Sequence, residues 1–277
     1  MDYLLPLIYV LFVWWFSTGA ILYLDGLPDW TRPWTMAGAT AVLGASFYGL
    51  AVTSGDATMT GAYVGFACAI GIWGWNETAF LLGYVTGPRR TACGHGCRGL
   101  RHAWHATETI LYHELALAAS GLAMLAVSWG AANQAGIWTF GVLWAMRLST
   151  KLNIFLGVPQ TAEEFLPPRL DHLRRYFTRK PMNALFPVSV TAATAAAVVS
   201  GMAAADAASG TYAVTAHTVI CTLIVLALME HWFLVLPLPV AALWTWGMRS
   251  RQTADRTRER KGGCLSPVPS DGFEGRP

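Results

Sequence analysis

Long apolar runs separated by short polar segments are the main pattern along this chain of 277 residues. A transmembrane helix needs about 20 predominantly apolar residues. Seven runs reach that length, so we predict an all-α fold, a polytopic membrane helix bundle with about seven transmembrane helices. The predicted spans lie near residues 3–24, 34–53, 61–86, 104–128, 135–157, 183–204 and 211–236.

The composition also indicates a membrane protein. Hydrophobic residues make up 54% of the chain and charged residues 13%, whereas soluble domains carry about 25% charged residues. The first apolar run lacks a preceding basic segment and is too long for a signal-peptide core, so we expect it to remain as a membrane anchor. The five cysteines are scattered over two spans, a loop and the tail, and they indicate no disulfide framework.

The distribution of Lys and Arg predicts an orientation. Sixteen of the 19 basic residues lie in three alternate segments, 87–103, 158–182 and 249–277. The three intervening connections contain none. Because short basic loops stay in the cytoplasm, we predict a periplasmic N-terminus and a cytoplasmic C-terminus.

Two parts of the chain are predicted to differ in order. Residues 1–248 are interpreted as the transmembrane helix bundle, and 249–277 as a basic, disordered cytoplasmic tail with too little apolar surface to fold. In PPRLDHLRRYF, Leu170, Leu173 and Phe177 recur at helical spacing, which is typical of an amphipathic helix on a membrane surface. A solvated turn is the alternative. No basic run is interleaved with exposed aromatics, so we expect no nucleic-acid partner.

Ionisable residues inside the predicted spans are the candidate functional residues. The stretch LALMEHWFLVLPLP places two of them side by side, although a charge at the bilayer centre costs about 2.5 to 3.5 kcal/mol. Five such residues share one level, about 8 to 15 Å from the cytoplasmic ends at 1.5 Å per residue: Glu77, His113, Glu114, Glu230 and His231. Supporting polar residues in the same half of the membrane are Glu108, Arg147, Lys151 and Asn153.

The chemistry of these five residues leaves three interpretations open. Carboxylates and imidazoles from several helices are the ligands of di-iron and di-manganese bundles. In the HE and EH pairs, however, neighbouring side chains diverge by about 100°. The second interpretation is a pocket for a tetrapyrrole or another ligand. The third is an interhelical network in which Arg147 and Lys151 neutralise Glu77, Glu114 or Glu230. His217 is interpreted as an interfacial histidine outside the site.

The segment TACGHGCRGLRHAWH is a second candidate for metal binding. Zinc favours nitrogen and sulfur donors, and this segment holds Cys93, His95, Cys97, His102 and His105. The C-x3-C and H-x2-H spacings fit no common zinc finger, and four nearby arginines would oppose a cation. We therefore interpret the segment as a flexible basic loop, with zinc binding as the alternative.

Several long stretches resemble a known family. They are VWWFSTGAILYL, GAYVGFACAIGIWGWNETAFLLGYVTGP, YHELAL, SWGAANQAGIWTFGVLWAMRLSTKLNIFLGVP, MNALFPVSV and LMEHWFLVLPLPVAALW, between Val13 and Trp246. They are similar to the PuhE-type photosynthetic-complex assembly proteins of purple phototrophic bacteria. The resemblance implies a multi-pass protein of the bacterial cytoplasmic (inner or intracytoplasmic) membrane that assists reaction-centre complex assembly or modulates bacteriochlorophyll supply. It implies no catalytic residues.

Two functions of different classes follow from these observations. As an assembly factor, the protein would contact the lipid bilayer, reaction-centre or light-harvesting subunits and pigment, and His113 or His231 could bind the magnesium of bacteriochlorophyll. As an enzyme, it would be a membrane-embedded di-metal oxidoreductase, with the Glu and His side chains as metal ligands and a lipid-soluble or pigment substrate. The family resemblance favours the assembly factor.

Overall fold

The computed structural model of the protein describes residues 1–94 and 97–251. Regular structure in these ranges is helical throughout, as the sequence predicts. The long helices are α1 (Leu4–Asp25), α2 (Arg32–Val52), α3 (Met59–Leu81), α4 (Gly99–Ser128), α5 (Ala135–Leu156), α6 (Leu185–Asp206) and α7 (Tyr212–Phe233).

Within residues 1–94 and 97–251, five helical stretches are long and apolar enough to cross a membrane. They are α1, the stretch Asp29–Val52 that contains α2, α4, α6 and α7. The helices α3 and α5 are similarly long but are not among these five: Asn76 and Glu77 lie on α3, and Arg147 and Lys151 on α5. Because α3 packs against α1, α2, α4, α5 and α7, its polar side chains face protein. The membrane character is supported, and the count of seven spans stays a prediction.

Small residues let α3 and α5 approach each other closely. Gly65 on α3 faces Gly136 on α5, and a methyl group at position 136 would lie 3.0 Å from the carbonyl oxygen of Gly65. Close backbone approach at small residues is typical of helix packing in membranes. Larger apolar side chains, among them Ile72, Leu117 and Phe140, fill the core on one side of this contact.

Hydrogen bonds between connections show which connections lie at the same end of the bundle. At one end, Asn133 donates to the carbonyl of Thr53 at 3.2 Å, and the backbone N–H of Gly210 donates to Asp2 at 3.2 Å. At the other end, the Tyr176 hydroxyl donates to the carbonyl of Thr91 at 3.0 Å. The described residues of two Lys- and Arg-rich connections, 87–103 and 158–182, therefore share one end, which we call the basic end. Its assignment to the cytoplasm stays a prediction.

The segment before α6 packs onto the basic end of the bundle. A 3₁₀ helix with a kink at Leu170 spans Pro168–Tyr176, and its apolar side chains Leu170 and Leu173 are buried next to Phe80 of α3. The amphipathic pattern predicted from the sequence is present, but its apolar face covers the protein.

A buried carboxylate joins three segments at the same end. Asp25, at the end of α1, is 3% exposed. It accepts from Arg169 at 2.5 Å and from Arg251 at 2.6 Å. The first residues of the predicted tail, 249–251, are thus held against the bundle, and the rest of that tail, 252–277, lies outside the described residues.

Candidate functional site

Glu77 and His113 face each other between α3 and α4. The Glu77 Oε1 and His113 Nε2 atoms are 3.9 Å apart, and Glu77 Oε2 lies 3.6 Å from the Arg147 guanidinium of α5. The His113 side chain is 1% exposed, and the ring of Phe80, one turn beyond Glu77 on α3, lies 4.5 Å from the imidazole. Three helices therefore bring a carboxylate, an imidazole and a guanidinium together.

Several polar atoms of this contact are buried without a partner. Both ring nitrogens of His113, Glu77 Oε1 and Asn76 Oδ1 have no hydrogen-bond partner within the part of the chain that the structure describes. Buried polar groups are normally hydrogen-bonded, and 3.9 Å is too long for a direct bond. If Glu77 Oε1 and His113 Nε2 moved about 1 Å closer, they would form a hydrogen bond. Four buried polar atoms at this contact between α3 and α4 therefore have unused capacity for hydrogen bonds.

Glu114, the next residue on α4, turns to a different neighbour. Its carboxylate accepts from Lys151 Nζ of α5 at 2.6 Å and from Trp144 Nε1 of the same helix at 3.3 Å. Each charged side chain of the pair is 20% exposed. The two opposite charges neutralise each other at the contact between α4 and α5.

Glu230 forms a separate contact between α7 and α1. Its Oε1 atom accepts from the indole N–H of Trp14 at 3.2 Å. The cations that the sequence offered as its partners, Arg147 and Lys151, form ion pairs with Glu77 and Glu114 instead.

His231 belongs to a neutral polar network between α5, α6 and α7. Its Nδ1 atom lies 2.9 Å from the carbonyl of Ala227, and its Nε2 atom lies 2.9 Å from the hydroxyl of Ser149. A carbonyl can only accept, so Nδ1 carries the proton, and Nε2 faces the Ser149 hydroxyl, which itself donates to Ser189 at 2.9 Å. Asn153, which is fully buried, donates to Ser189 of α6 at 3.1 Å. Both imidazole nitrogens of His231 are thus occupied.

The structure divides the five candidate residues among separate contacts. Glu77 and His113 meet, whereas Glu114, Glu230 and His231 each have their own partners. In residues 1–94 and 97–251, one group of three His, Cys, Asp or Glu ligand atoms lies within 4.8 Å, and it comprises Cys93, Cys97 and His102. The arrangement of the five residues therefore does not fit a shared di-iron or di-manganese centre.

Of the supporting polar residues, Glu108 lies apart. It pairs with Arg89 at 2.8 Å near the basic end.

His217 is exposed on α7, consistent with its exclusion from the site. Sequence reasoning missed the neutral partners, which carry no charge that distinguishes them from other residues of the spans: Trp14, Trp144, Ser149 and Ser189.

These features define the class of the protein as an all-helical membrane protein with paired charges between its helices. The chain matches the family described as "Protein of unknown function (DUF3623)" over residues 1–255 and belongs to that family. It is 39% identical over 265 residues, 94% of this chain and 93% of the relative, to the "Uncharacterized 30.4 kDa protein in puhA 5'region" of Rhodobacter capsulatus. No solved structure matches the chain.

Proposed function

We propose that this protein is an integral membrane factor that assists assembly of the photosynthetic reaction-centre complex or modulates bacteriochlorophyll supply. The observation that carries the proposal is the relative from the puhA region, because the similarity covers 94% of this chain. The proposed location is the inner or intracytoplasmic membrane, and the proposed partners are reaction-centre or light-harvesting subunits. The five apolar helices suit such a location.

The contacts between helices favour this role over a di-metal oxidoreductase. Carboxylates that bind two metals must direct their oxygens at the ions, but Glu77 faces Arg147 and Glu114 faces Lys151. Paired charges of this kind fix the helices relative to one another.

Bound bacteriochlorophyll does not fit either histidine in this conformation. His231 has both nitrogens occupied, and His113 is 1% exposed beneath the ring of Phe80. A macrocycle needs an open face beside its axial ligand. We therefore propose that any contact with pigment or subunits occurs on the outer surface of the bundle.

Deletion of the gene in its phototrophic host tests the proposal. We expect slower phototrophic growth and a smaller absorbance of reaction-centre complexes per membrane protein. An assembly role predicts that subunits decline while bacteriochlorophyll is still made. A role in supply predicts that bacteriochlorophyll declines first and its precursors accumulate.

The matched control is the same deletion strain carrying the wild-type gene, which should regain growth and absorbance. Unchanged growth and spectra in the deletion strain would contradict the proposal. Iron or manganese bound at about two ions per chain, and lost in Glu77→Gln, would favour the oxidoreductase instead.

A further inference from the structure

Four nitrogen and sulfur side chains meet where the loop after α3 joins α4. Cys93 and Cys97 lie in the loop, and His102 and His105 lie on the first turns of α4. Residues three apart on a helix share a face, so both imidazoles point to the same side. Gly99 has a φ of +61°, a conformation that glycine adopts readily. It lets the chain turn into α4 with Cys97 beside that face.

Each of the two histidines places a ring nitrogen close to both cysteine sulfurs. His105 Nδ1 lies 3.0 Å from Cys93 Sγ and 3.3 Å from Cys97 Sγ. A ring nitrogen of His102 and both sulfurs lie within 4.8 Å of one another. The His102 ring is stacked between Phe155, at 5.5 Å, and Tyr176, at 5.4 Å, and its Nδ1 atom is buried without a partner among the residues described. Packing thus fixes the His102 ring beside the two sulfurs.

We propose that Cys93, Cys97, His102 and His105 bind one divalent metal ion with the ligand preferences of zinc. Two thiolates and two imidazoles complete a tetrahedral zinc site, and four protein ligands are typical of structural rather than catalytic zinc. His95 lies outside the described residues and is not part of the proposed set.

The surrounding arginines do not oppose such a site. Two thiolates balance the charge of a divalent ion, so the complete site is neutral. Nearby guanidinium groups also favour the thiolate form of cysteine. One of these arginines, Arg89, is already paired with Glu108 at 2.8 Å.

Metal binding and a disulfide exclude each other at these cysteines. The structure joins Cys93 and Cys97 as a disulfide, with Cα atoms 6.1 Å apart. The loop lies at the basic end, for which we predict a cytoplasmic location, and cytoplasmic thiols are kept reduced. Two molecules of a cellular thiol such as glutathione supply two electrons and two protons, become one glutathione disulfide, and convert the protein disulfide to two thiols. Zinc then displaces the two protons, with the sulfurs about 3.8 Å apart on bonds of about 2.3 Å.

The metal would hold three segments together at the basic end. His102 already contacts Phe155 at the end of α5 and Tyr176 of the 3₁₀ helix. The Tyr176 hydroxyl donates to the carbonyl of Thr91 in the same loop at 3.0 Å. A metal ion would add bonds from this loop to α4.

Metal analysis of the full-length protein tests the site. The protein is purified in mild detergent with a phosphine reductant and without a polyhistidine tag, supplied with zinc and desalted. We expect one zinc per chain in the wild type and almost none in Cys93→Ser or His105→Ala. The matched control is Cys221→Ser, in the half-buried side chain of α7, which should keep one zinc. Cobalt in place of zinc should give thiolate charge-transfer and tetrahedral absorption bands.

A reduced wild-type protein without zinc, or variants that keep a full equivalent of zinc, would overturn the proposal. Thiol alkylation of the wild type provides a test that requires no variant. Zinc should slow the alkylation of Cys93 and Cys97 by on the order of tenfold, because the free thiolate is the reactive form. Equal rates with zinc and with chelator, or a Cys93–Cys97 disulfide isolated from native membranes under thiol-blocking conditions, would also refute it. These outcomes do not depend on phototrophic growth, so the site and the proposed function can fail separately.

Discussion

At the scale of single residues, adjacent polar side chains on one helix serve different neighbours. His113 faces Glu77 of α3, whereas Glu114 faces Lys151 of α5. Likewise, Glu230 contacts α1 and His231 contacts α5. Neighbouring positions on a helix diverge by about 100°, so each pair links its own helix to two others.

Substitution of Glu230 tests whether its charge is needed for function. Glu230→Gln keeps an oxygen that can accept from Trp14, so we expect a membrane protein level near that of the wild type. If the carboxylate is functional, the variant loses its support of phototrophic growth. Immunoblotting and growth curves in the deletion strain measure both quantities.

Glu230→Leu is the matched control, because it also removes the hydrogen bond. Such a bond between membrane helices is worth about 1 to 2 kcal/mol, so this variant should accumulate less than Glu230→Gln. Normal growth of Glu230→Gln would show that the charge at this position has no function.

The pair of Glu114 and Lys151 gives a second test. Lys151→Met leaves the Glu114 carboxylate between helices without its cation, and removal of one partner from a buried ion pair costs about 3 to 5 kcal/mol. We expect a clear loss of thermal stability in detergent, measured by the unfolding midpoint. Adding Glu114→Gln should restore most of it.

Lys180→Met, in an exposed position, controls for the loss of a positive charge and should change the midpoint little. If the double variant were no more stable than Lys151→Met alone, the two side chains would not act as a pair.

From the sequence we predict one level in the membrane for these charges, which stays a prediction, but the sequence did not identify their partners. Apolar neighbours on both sides placed Glu230 within a span. Its donor Trp14, however, is 216 positions away and is one of 13 tryptophans. Which side chains meet depends on how each helix is rotated about its axis. Hydrophobicity does not fix that rotation when a helix is apolar on nearly every side.

At the scale of helices and connections, the residue at which a helix begins determines which side chains lie on the same helix face. The sequence predicted the fourth span from residue 104, whereas α4 begins at Gly99. The polar first turn gave no apolar signal, so His102 was assigned to a loop although it lies on the helix. This difference hid the alignment of His102 with His105.

The Asp25 carboxylate tests how the connections at the basic end are held. Asp25→Asn leaves Arg169 and Arg251 without a counter-charge, and we expect a cost of about 3 kcal/mol or more because the acidic side chain is 2% exposed. Faster proteolysis within 158–182 and a lower unfolding midpoint would measure the effect.

Asp29→Asn is the control for Asp25→Asn. Asp29 also pairs with an arginine, Arg32, but its side chain is 66% exposed, and exposed ion pairs contribute little. Equal effects of the two substitutions would contradict a special role for burial at Asp25.

At the scale of the whole molecule, charge is separated between the two ends of the bundle. The connections of one end contain the Lys- and Arg-rich segments, and those of the other end contain neither residue. Length and apolarity were sufficient to predict the succession of long helices. They did not distinguish α3, whose Asn76 and Glu77 are buried against other helices.

Topology mapping tests the predicted orientation. By the preference of basic loops for the cytoplasm, a reporter at residue 1 should be periplasmic and a reporter at residue 270 cytoplasmic. A periplasmic reporter at residue 270 would contradict both the orientation and the depth assigned to the buried charges.

Two single-cysteine variants distinguish seven spans from five. If α3 and α5 cross the membrane, an impermeant maleimide should label Ala132→Cys from the periplasm and should not reach Ala92→Cys. If only the five apolar stretches cross, the pattern should be reversed. Detergent-permeabilised cells, in which both cysteines should react, provide the control.

The contact of Asp25 with two arginines also sets an order for biogenesis. Asp25 is synthesised 144 positions before Arg169 and 226 positions before Arg251. At about 5 to 20 residues per second, the ribosome needs roughly 10 to 45 s to supply both. During that interval the Asp25 carboxylate lacks at least one of its two cations. A chain truncated before Arg251 would lack one of the two cations that pair with Asp25. We expect membrane proteases to degrade such a chain faster than the full-length protein.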